Sequence, residues 1–245
     1  MEISPASIII PTLNEGRYLP LLLDSLLKIS APLDIIVVDG NSDDNTVDVA
    51  TSFVSSFSGM SSLRVNDCRE RGISVQRNIG ASMAKYETLI FCDADVIVPP
   101  AEEYAKLIFI FEENKFVVAA PFFVPTEPGI LIKLTFKVAS VIQKILFTFR
   151  RPYFGGAYLM TTKKVFTGVG GFDTKLKLAE DVDFSLRAAK LGPYGLIDVQ
   201  IPISARRLIK YGYWWIFKDF PTLCSFIRTG RVVHGSVYYP FGEYD

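Results

Sequence analysis

Short apolar runs alternate with helix-patterned stretches through the first part of the chain, and this alternation restricts the fold more than any other feature. The runs are Ser7-Ile8-Ile9-Ile10-Pro11, Asp34-Ile35-Ile36-Val37-Val38-Asp39, Leu63-Arg64-Val65 and Thr88-Leu89-Ile90-Phe91-Cys92. Continuous β-branched and aromatic side chains suit strands buried on both faces. Pro11 closes the first run, so a strand end is expected there. Between the runs, residues 19–27, 47–57 and 74–83 carry apolar side chains at helical spacing. In the second of these, Val47, Ala50, Val54 and Phe57 recur at threes and fours. The pattern predicts an α/β fold, Rossmann-like, with a mostly parallel central sheet flanked by helices.

Ligands of such sheets bind outside the carboxyl ends of the strands, and the polar residues collect there. Pro11, Thr12, Asn14 and Glu15 follow the first strand, Asp39 and Asn41 the second, and Asp93-Ala94-Asp95 the fourth. Unpaired carboxylates beside a core are costly, so a cation is expected among them: an arginine, a lysine, or a divalent metal with bound phosphate. Plainer readings stand beside these. Asp39 also fits a helix cap, Asp93 and Asp95 a turn, and residues 11–15 a strand-to-helix connection. Arg77, within the third helical stretch, suits either a diphosphate or Asp93.

The second half is less regular. Residues 103–112 read as a helix and 116–123 as a strand, after which Pro125 and Pro128 break the chain. Residues 129–149 form an amphipathic helical insertion. Lys133, Lys137, Ser140 and Lys144 share a narrow face, and Ile130, Leu134, Val138, Val141, Ile142, Ile145 and Phe149 occupy the rest. Two readings remain open: a helix in a membrane interface with its lysines near anionic headgroups, or a buried helix with one wet stripe. Gly155-Gly156 is a close-approach loop, 157–160 a strand, and Gly170-Gly171 a turn. Glu180-Asp181 opens a helix over 180–191, residues 195–199 form a last strand, and 206–228 are helix-rich and aromatic. We expect one domain over 1–245: a nucleotide-binding half (1–100), an acceptor and catalytic half (101–204), and a helical C-terminal tail (205–245).

Lysines plus arginines equal aspartates plus glutamates, 26 each, so no global field draws the chain to nucleic acid. Three scattered cysteines suit a reducing compartment without a disulfide framework. Neither a signal peptide nor a membrane span is legible, so the expected location is cytoplasmic, at the inner face of the cell membrane if the insertion touches lipid.

Together these stretches resemble the inverting, nucleotide-sugar-dependent glycosyltransferases of family 2, which have the GT-A fold. The matching segments occur in the family's order: 7–15, 37–46, Arg77-Asn78-Ile79-Gly80-Ala81, 89–95, Gly155-Gly156, and Gly170-Gly171-Phe172-Asp173 followed by Glu180-Asp181. Residues 204–215 look more loosely like the tail of some small members. The resemblance implies a UDP- or GDP-sugar donor held by Pro11, Thr12, Asn14, Glu15, Asp39, Asn41, Arg77, Asp93, Ala94, Gly155 and Gly156. It implies Mg²⁺ or Mn²⁺ on Asp95 with Asp93, Asp181 as the base that deprotonates the acceptor, and Glu180 orienting acceptor or base. The acceptor would be a sugar, a lipid such as a glycolipid, or a lipid phosphate such as a polyprenyl phosphate.

Some relatives carry a polar residue two positions after the second aspartate, whereas Val96 and Ile97 follow here. Either a third protein ligand then comes from elsewhere or water fills the site; His234, the sole histidine, is a candidate ligand or equally a solvated tail residue. A nucleotidyltransferase on a similar sheet would need a glycine-rich, arginine-bearing loop after the first strand. A dinucleotide-dependent dehydrogenase would need Gly-x-Gly-x-x-Gly there, and Pro11-Thr12-Leu13-Asn14-Glu15-Gly16 is neither. A non-catalytic nucleotide-sugar-binding regulator should have lost Asp95 or Asp181, and both are present.

Overall fold

A computed structural model describes residues 3–68, 70–176 and 178–212. The first half holds β1 (Ala6–Thr12), α1 (Leu19–Leu26), β2 (Leu33–Asp39), α2 (Thr46–Ser52), β3 (Ser62–Asp67), α3 (Ile73–Met83) and β4 (Thr88–Cys92). After these come α4 (Ala101–Glu113), β5 (Val118–Pro125), α5 (Ile130–Thr148), β6 (Tyr158–Thr162), α6 (Lys163–Val169), α7 (Glu180–Ala188), β7 (Tyr194–Ile203) and α8 (Arg206–Tyr211). The expected tail beyond α8 and His234 lie outside the described residues.

One seven-stranded sheet has the order β3-β2-β1-β4-β6-β5-β7. Neighbours within β3-β2-β1-β4 are parallel, β6 runs against both β4 and β5, and β7 is parallel to β5. Every residue of β1, β2 and β4 is buried, as their unbroken apolar runs require. Alternate side chains feed two cores. Ile8, Ile10, Ile35 and Val37 meet Leu19, Leu22, Tyr104 and Leu107 on one face. Ile9, Ile36, Val38 and Phe91 meet Ala81, Phe172 and Phe184 on the other.

The expected boundaries need four corrections. β1 continues past Pro11 to Thr12, because its pairing with β4 ends at Ile9 and the missing proline N–H falls where one neighbour is gone. The helix expected over 47–57 begins at Thr46, stops at Ser52 and continues only as a 3₁₀ turn, Val54–Ser56. Thr51, Ser52, Ser55 and Ser56 compete for the backbone there, and Val54 is exposed. β7 runs five residues further upstream and downstream together than the 195–199 expected, and a bulge between Pro121 and Phe122 of β5 shifts its register. α6 was not legible. Thr162 caps it by accepting from the Val165 N–H, and its short length left no periodicity to read.

α3 lies against β1 and β2 because Gly80 lets it approach: a Cβ there would sit 2.4 Å from Ile9 Cγ2 and 3.2 Å from Val38 Cγ2. Gly80→Ala should therefore destabilise the fold by about 1–3 kcal/mol through overpacking. Chemical denaturation reads this as a lower midpoint with an unchanged slope.

Candidate active site

The chain reverses its winding at β1, which sends β2 and β3 to one side and β4 to the other, so the crevice lies at the carboxyl ends of β1 and β4. Thr12, Asp39 and Asp93 stand at three neighbouring strand ends. Asp39 accepts from Thr12 Oγ1 (2.9 Å), Ser42 Oγ (2.6 Å) and the Ser42 N–H (2.8 Å). It therefore ties its own loop to β1 and does not cap α2. Asn14, at φ 56°, accepts from the Asp43 N–H and donates its own N–H to Ser42 Oγ. Asn41 is exposed in the same loop, at φ 64°. Buried Gln76 of α3 donates to the Thr12 and Val38 carbonyls, fixing both strand ends, while its own Oε1 has no partner among the described residues.

Arg77 is the most constrained side chain of the crevice. It is 1% exposed and donates to Asp93 Oδ1 (2.9 Å), Glu180 Oε1 (2.8 Å) and the Gly156 carbonyl (3.0 Å). The Phe172 ring packs beneath it at 5.3 Å. Burial alone would pull its proton off, but Asp93, Glu180 and Asp181 together outweigh that cost and raise its pKa. Gly156 is required here, since a Cβ would lie 2.6 Å from Arg77 Nη2. Its N–H donates to Asp181 Oδ2 at 2.5 Å, so both its backbone groups serve the site. Gly155 keeps open space around its α-carbon apart from Phe123 at 3.8 Å.

A second arginine centre was missed in the sequence. Arg206, at the start of α8, donates to Glu15 Oε1 (2.6 Å) and Asp95 Oδ2 (3.0 Å) and lies 4.2 Å over the Tyr18 ring. Burial pushes the Glu15 carboxyl up to about 7 against the pull of Arg206. Burial likewise raises Asp95, with Arg207 and Arg206 acting in the opposite sense. Glu15 Oε2 is buried without a hydrogen-bond partner among the described residues. The available signal was the cation that the buried carboxylates demanded, but the 191 residues separating Arg206 from Glu15 hid which cation it was.

Glu180 and Asp181 open α7, where negative charge suits the helix dipole. Asp181 is half-buried and accepts from the Gly156 and Val182 N–H groups. Burial, then the charge of Glu180, push its carboxyl up to about 7 despite Arg77 and the two backbone donors. A carboxylate tuned to that range at a crevice mouth has the basicity expected of a general base.

Among the described residues, no three His, Cys, Asp or Glu side chains are grouped to enclose a metal ion. The chemistry nevertheless fits a shared one. Asp93 and Asp95 supply hard carboxylate oxygens, and Glu15 adds an unsatisfied one beside Asp95. Mg²⁺ needs only one or two protein carboxylates when phosphate and water complete its shell. Ala94, between the aspartates, is 2% exposed and holds the loop in the core.

The sequence profile of glycosyl transferase family 2 matches residues 7–172, well over half of the chain. The chain belongs to that family. The match includes Asp39, Arg77, Asp93, Asp95 and Gly156, and ends before Glu180, Asp181 and Arg206. A glycosyltransferase of PGL/p-HBAD biosynthesis from Mycobacterium tuberculosis is 25% identical over 182 residues, covering 74% of this chain and 68% of that protein. An undecaprenyl-phosphate 4-deoxy-4-formamido-L-arabinose transferase from Serratia proteamaculans is 32% identical over 120 residues, 47% of this chain and 36% of that protein.

Solved structures share the fold, two of them as follows. A Pyrobaculum calidifontis mannosyltransferase, in complex with GDP-Man and Mn²⁺, superposes with TM-score 0.67 at 19% identity, covering 95% of this chain and 66% of that one. S. aureus TarS in complex with UDP superposes with TM-score 0.63 at 19% identity, over 86% of this chain. The chain spans about three-fifths of the TarS segment, 63% in that complex. The sheet is thus a GT-A glycosyltransferase sheet, mostly parallel and flanked by helices.

Removing Arg77 would leave Asp93 and Glu180 as uncompensated charges at the edge of the core. Arg77→Ala should cost about 3–5 kcal/mol of stability. Denaturant unfolding checks the loss, and Arg77→Lys, which keeps charge without the planar fork, should recover only part of it.

Proposed function

We propose that this family member catalyses inverting transfer of a sugar from a UDP- or GDP-linked donor to an acceptor hydroxyl, with Asp181 as the general base. The observation that carries the reading is Asp181 itself: a carboxylate raised to about 7, held by Gly156 and joined through Glu180 and Arg77 to Asp93. The 1–100 half takes the donor. Pro11, Thr12, Asn14, Glu15, Asp39 and Asn41 frame the base and ribose, and Asp93, Ala94 and Asp95 face the diphosphate. The 101–204 half supplies Gly155, Gly156, Glu180 and Asp181 on the acceptor side. Support for a sugar-nucleotide comes from the GDP-Man and UDP carried by proteins of the same fold.

In the reaction, Asp181 takes the acceptor proton as its oxygen forms the new bond to the anomeric carbon. The bond to the diphosphate breaks on the opposite face, and the nucleoside diphosphate departs as an anion. Stabilising that anion is the largest electrostatic task. Mg²⁺ or Mn²⁺, held by Asp95 and Asp93, would neutralise the diphosphate when bound. Arg77 keeps Asp93 aimed, and Glu180 shares that guanidinium and so fixes the start of α7. Arg206 holds Asp95 and Glu15 in one arrangement before the donor arrives.

For the acceptor we propose a lipid-linked molecule, a glycolipid or polyprenyl phosphate, presented at the inner face of the cell membrane. The name of the Serratia relative supports that class. A phosphate acceptor needs no strong base, and Asp181 would then only orient it.

Asp181→Asn distinguishes the two acceptors. With a hydroxyl acceptor, turnover should fall about 10²–10⁴-fold while nucleotide affinity is unchanged; retained turnover would remove the base role. In the wild type, kcat/KM should rise as pH passes about 7, because the base works only after losing its proton and burial has raised that loss. Calorimetry with Mn²⁺ should show UDP or GDP binding that weakens in Asp95→Asn, and no heat from any nucleoside diphosphate would refute the donor assignment.

A further inference from the structure

α5 is apolar on two sides, and only one is covered by the rest of the described residues. Ile132 and Leu146 are buried, and Phe136 and Phe147 are partly covered. On the opposite side Ile130, Leu134, Val138, Val141, Ile145 and Phe149 are 49–87% exposed. Their spacing of four, four, three, four and four confines them to an arc of about 100°. A stripe five turns long is far more than the scattered exposed leucines of an ordinary surface.

The lysines give that stripe its partner. Lys133, Lys137 and Lys144 form a row directly beside it and line a groove of about 450 Å³ between α5 and the β5–β7 edge of the sheet. Phe122 and Gln200 lie in its floor, and Lys144 Nζ sits 4.6 Å over the Phe122 ring. Asp198 also lines it. From residue 129 to 156 the chain carries five basic residues and no acidic one, although the whole chain is neutral. Two copies of α5 packed together would set these charges against each other. An anionic lipid surface meets both needs, since it takes apolar side chains into the headgroup–acyl boundary and leaves lysines among phosphates. No helix among the described residues is long and apolar enough to cross a membrane, so contact would be in-plane.

We propose that α5 docks this protein on an anionic bilayer, with its outer apolar stripe inserted and Lys133, Lys137 and Lys144 holding lipid phosphates at the mouth of the groove. The inference rests on the lipid-linked acceptor proposed above for its purpose, and its test needs no turnover. β5 and the Gly155-Gly156 loop join the two ends of the α5 segment to the active-site rim, so docking would bring a lipid acceptor to the side of the crevice where Asp181 stands.

Vesicle flotation of the full chain tests it. The protein should float with phosphatidylcholine vesicles containing phosphatidylglycerol, not with phosphatidylcholine alone, and salt should release it. Replacing all three lysines (Lys133→Gln, Lys137→Gln, Lys144→Gln) should lower partitioning about a hundredfold, from roughly 1 kcal/mol per lysine near such a surface. Leu134→Asp with Val141→Asp should abolish flotation while nucleoside diphosphate binding persists, which shows that the fold is intact. Absence of flotation at low salt, or flotation indifferent to both variants, overturns the proposal. So does self-association of the wild type that Val138→Asp abolishes, which assigns the stripe to a second copy. For the wild type, no flotation with nucleotide binding intact sinks only the docking; flotation with no nucleotide binding sinks only the donor reading.

Discussion

One buried guanidinium joins the two halves of this protein. Arg77 projects from α3 and is bonded at once to the end of β4 through Asp93, to the loop before β6 through Gly156, and to the start of α7 through Glu180. These elements lie far apart in sequence, and the guanidinium adds to the few other directional bonds between them, Asp93 N–H to the Ala157 carbonyl and Gly156 N–H to Asp181, where apolar packing alone is non-directional. The bonds set their relative positions to hydrogen-bond tolerance. Two of the three partners are anions, and so the guanidinium remains charged in a site where burial works against it. Specificity of arrangement, more than net stability, is what such a buried ionic network contributes.

Arg206 repeats the scheme on the donor side, holding Glu15 and Asp95. The crevice therefore has two cationic centres, each shared by two carboxylates drawn from different elements. Arrangement by shared counter-ions means that the acidic residues are fixed before any diphosphate arrives, which lowers the reorganisation needed on binding.

The strands β1, β2 and β4 were legible because burial on both faces leaves no room for polar residues, and the acidic strand ends stood out against that background. Asp93, Asp95 and Asp181 were picked out with them, and Arg77 was recognised as a partner for Asp93. Side chains whose role depends on distant partners were not legible: Arg206 and Gln76 have nothing local to mark them. Of the two readings of Asp39, the structure sets aside the helix cap, since the carboxylate ties its own loop through Ser42 and Thr12. The pattern of α5 was visible, but its apolar residues were taken as one surface. Only the packing of Ile132 and Leu146 divides them into an inner and an outer side.

The reversed direction of β6 has a consequence for how such a protein can change. Because β6 runs against β4 and β5, its first residues meet the same rim at which β5 ends. The chain thus leaves that rim after β5, makes the long excursion through α5, and returns to it at Gly155 and Gly156. Residues 126–156 form a closed detour with both anchor points fixed by the sheet. Loop closure costs only about 0.6 kcal/mol for each doubling of length. Away from its two ends, where Glu127 holds Ser204 and Gly156 serves Arg77 and Asp181, the detour can therefore be lengthened, shortened or recoloured in charge with little effect on the donor crevice, leaving the chemistry at one address while the neighbouring surface is rewritten.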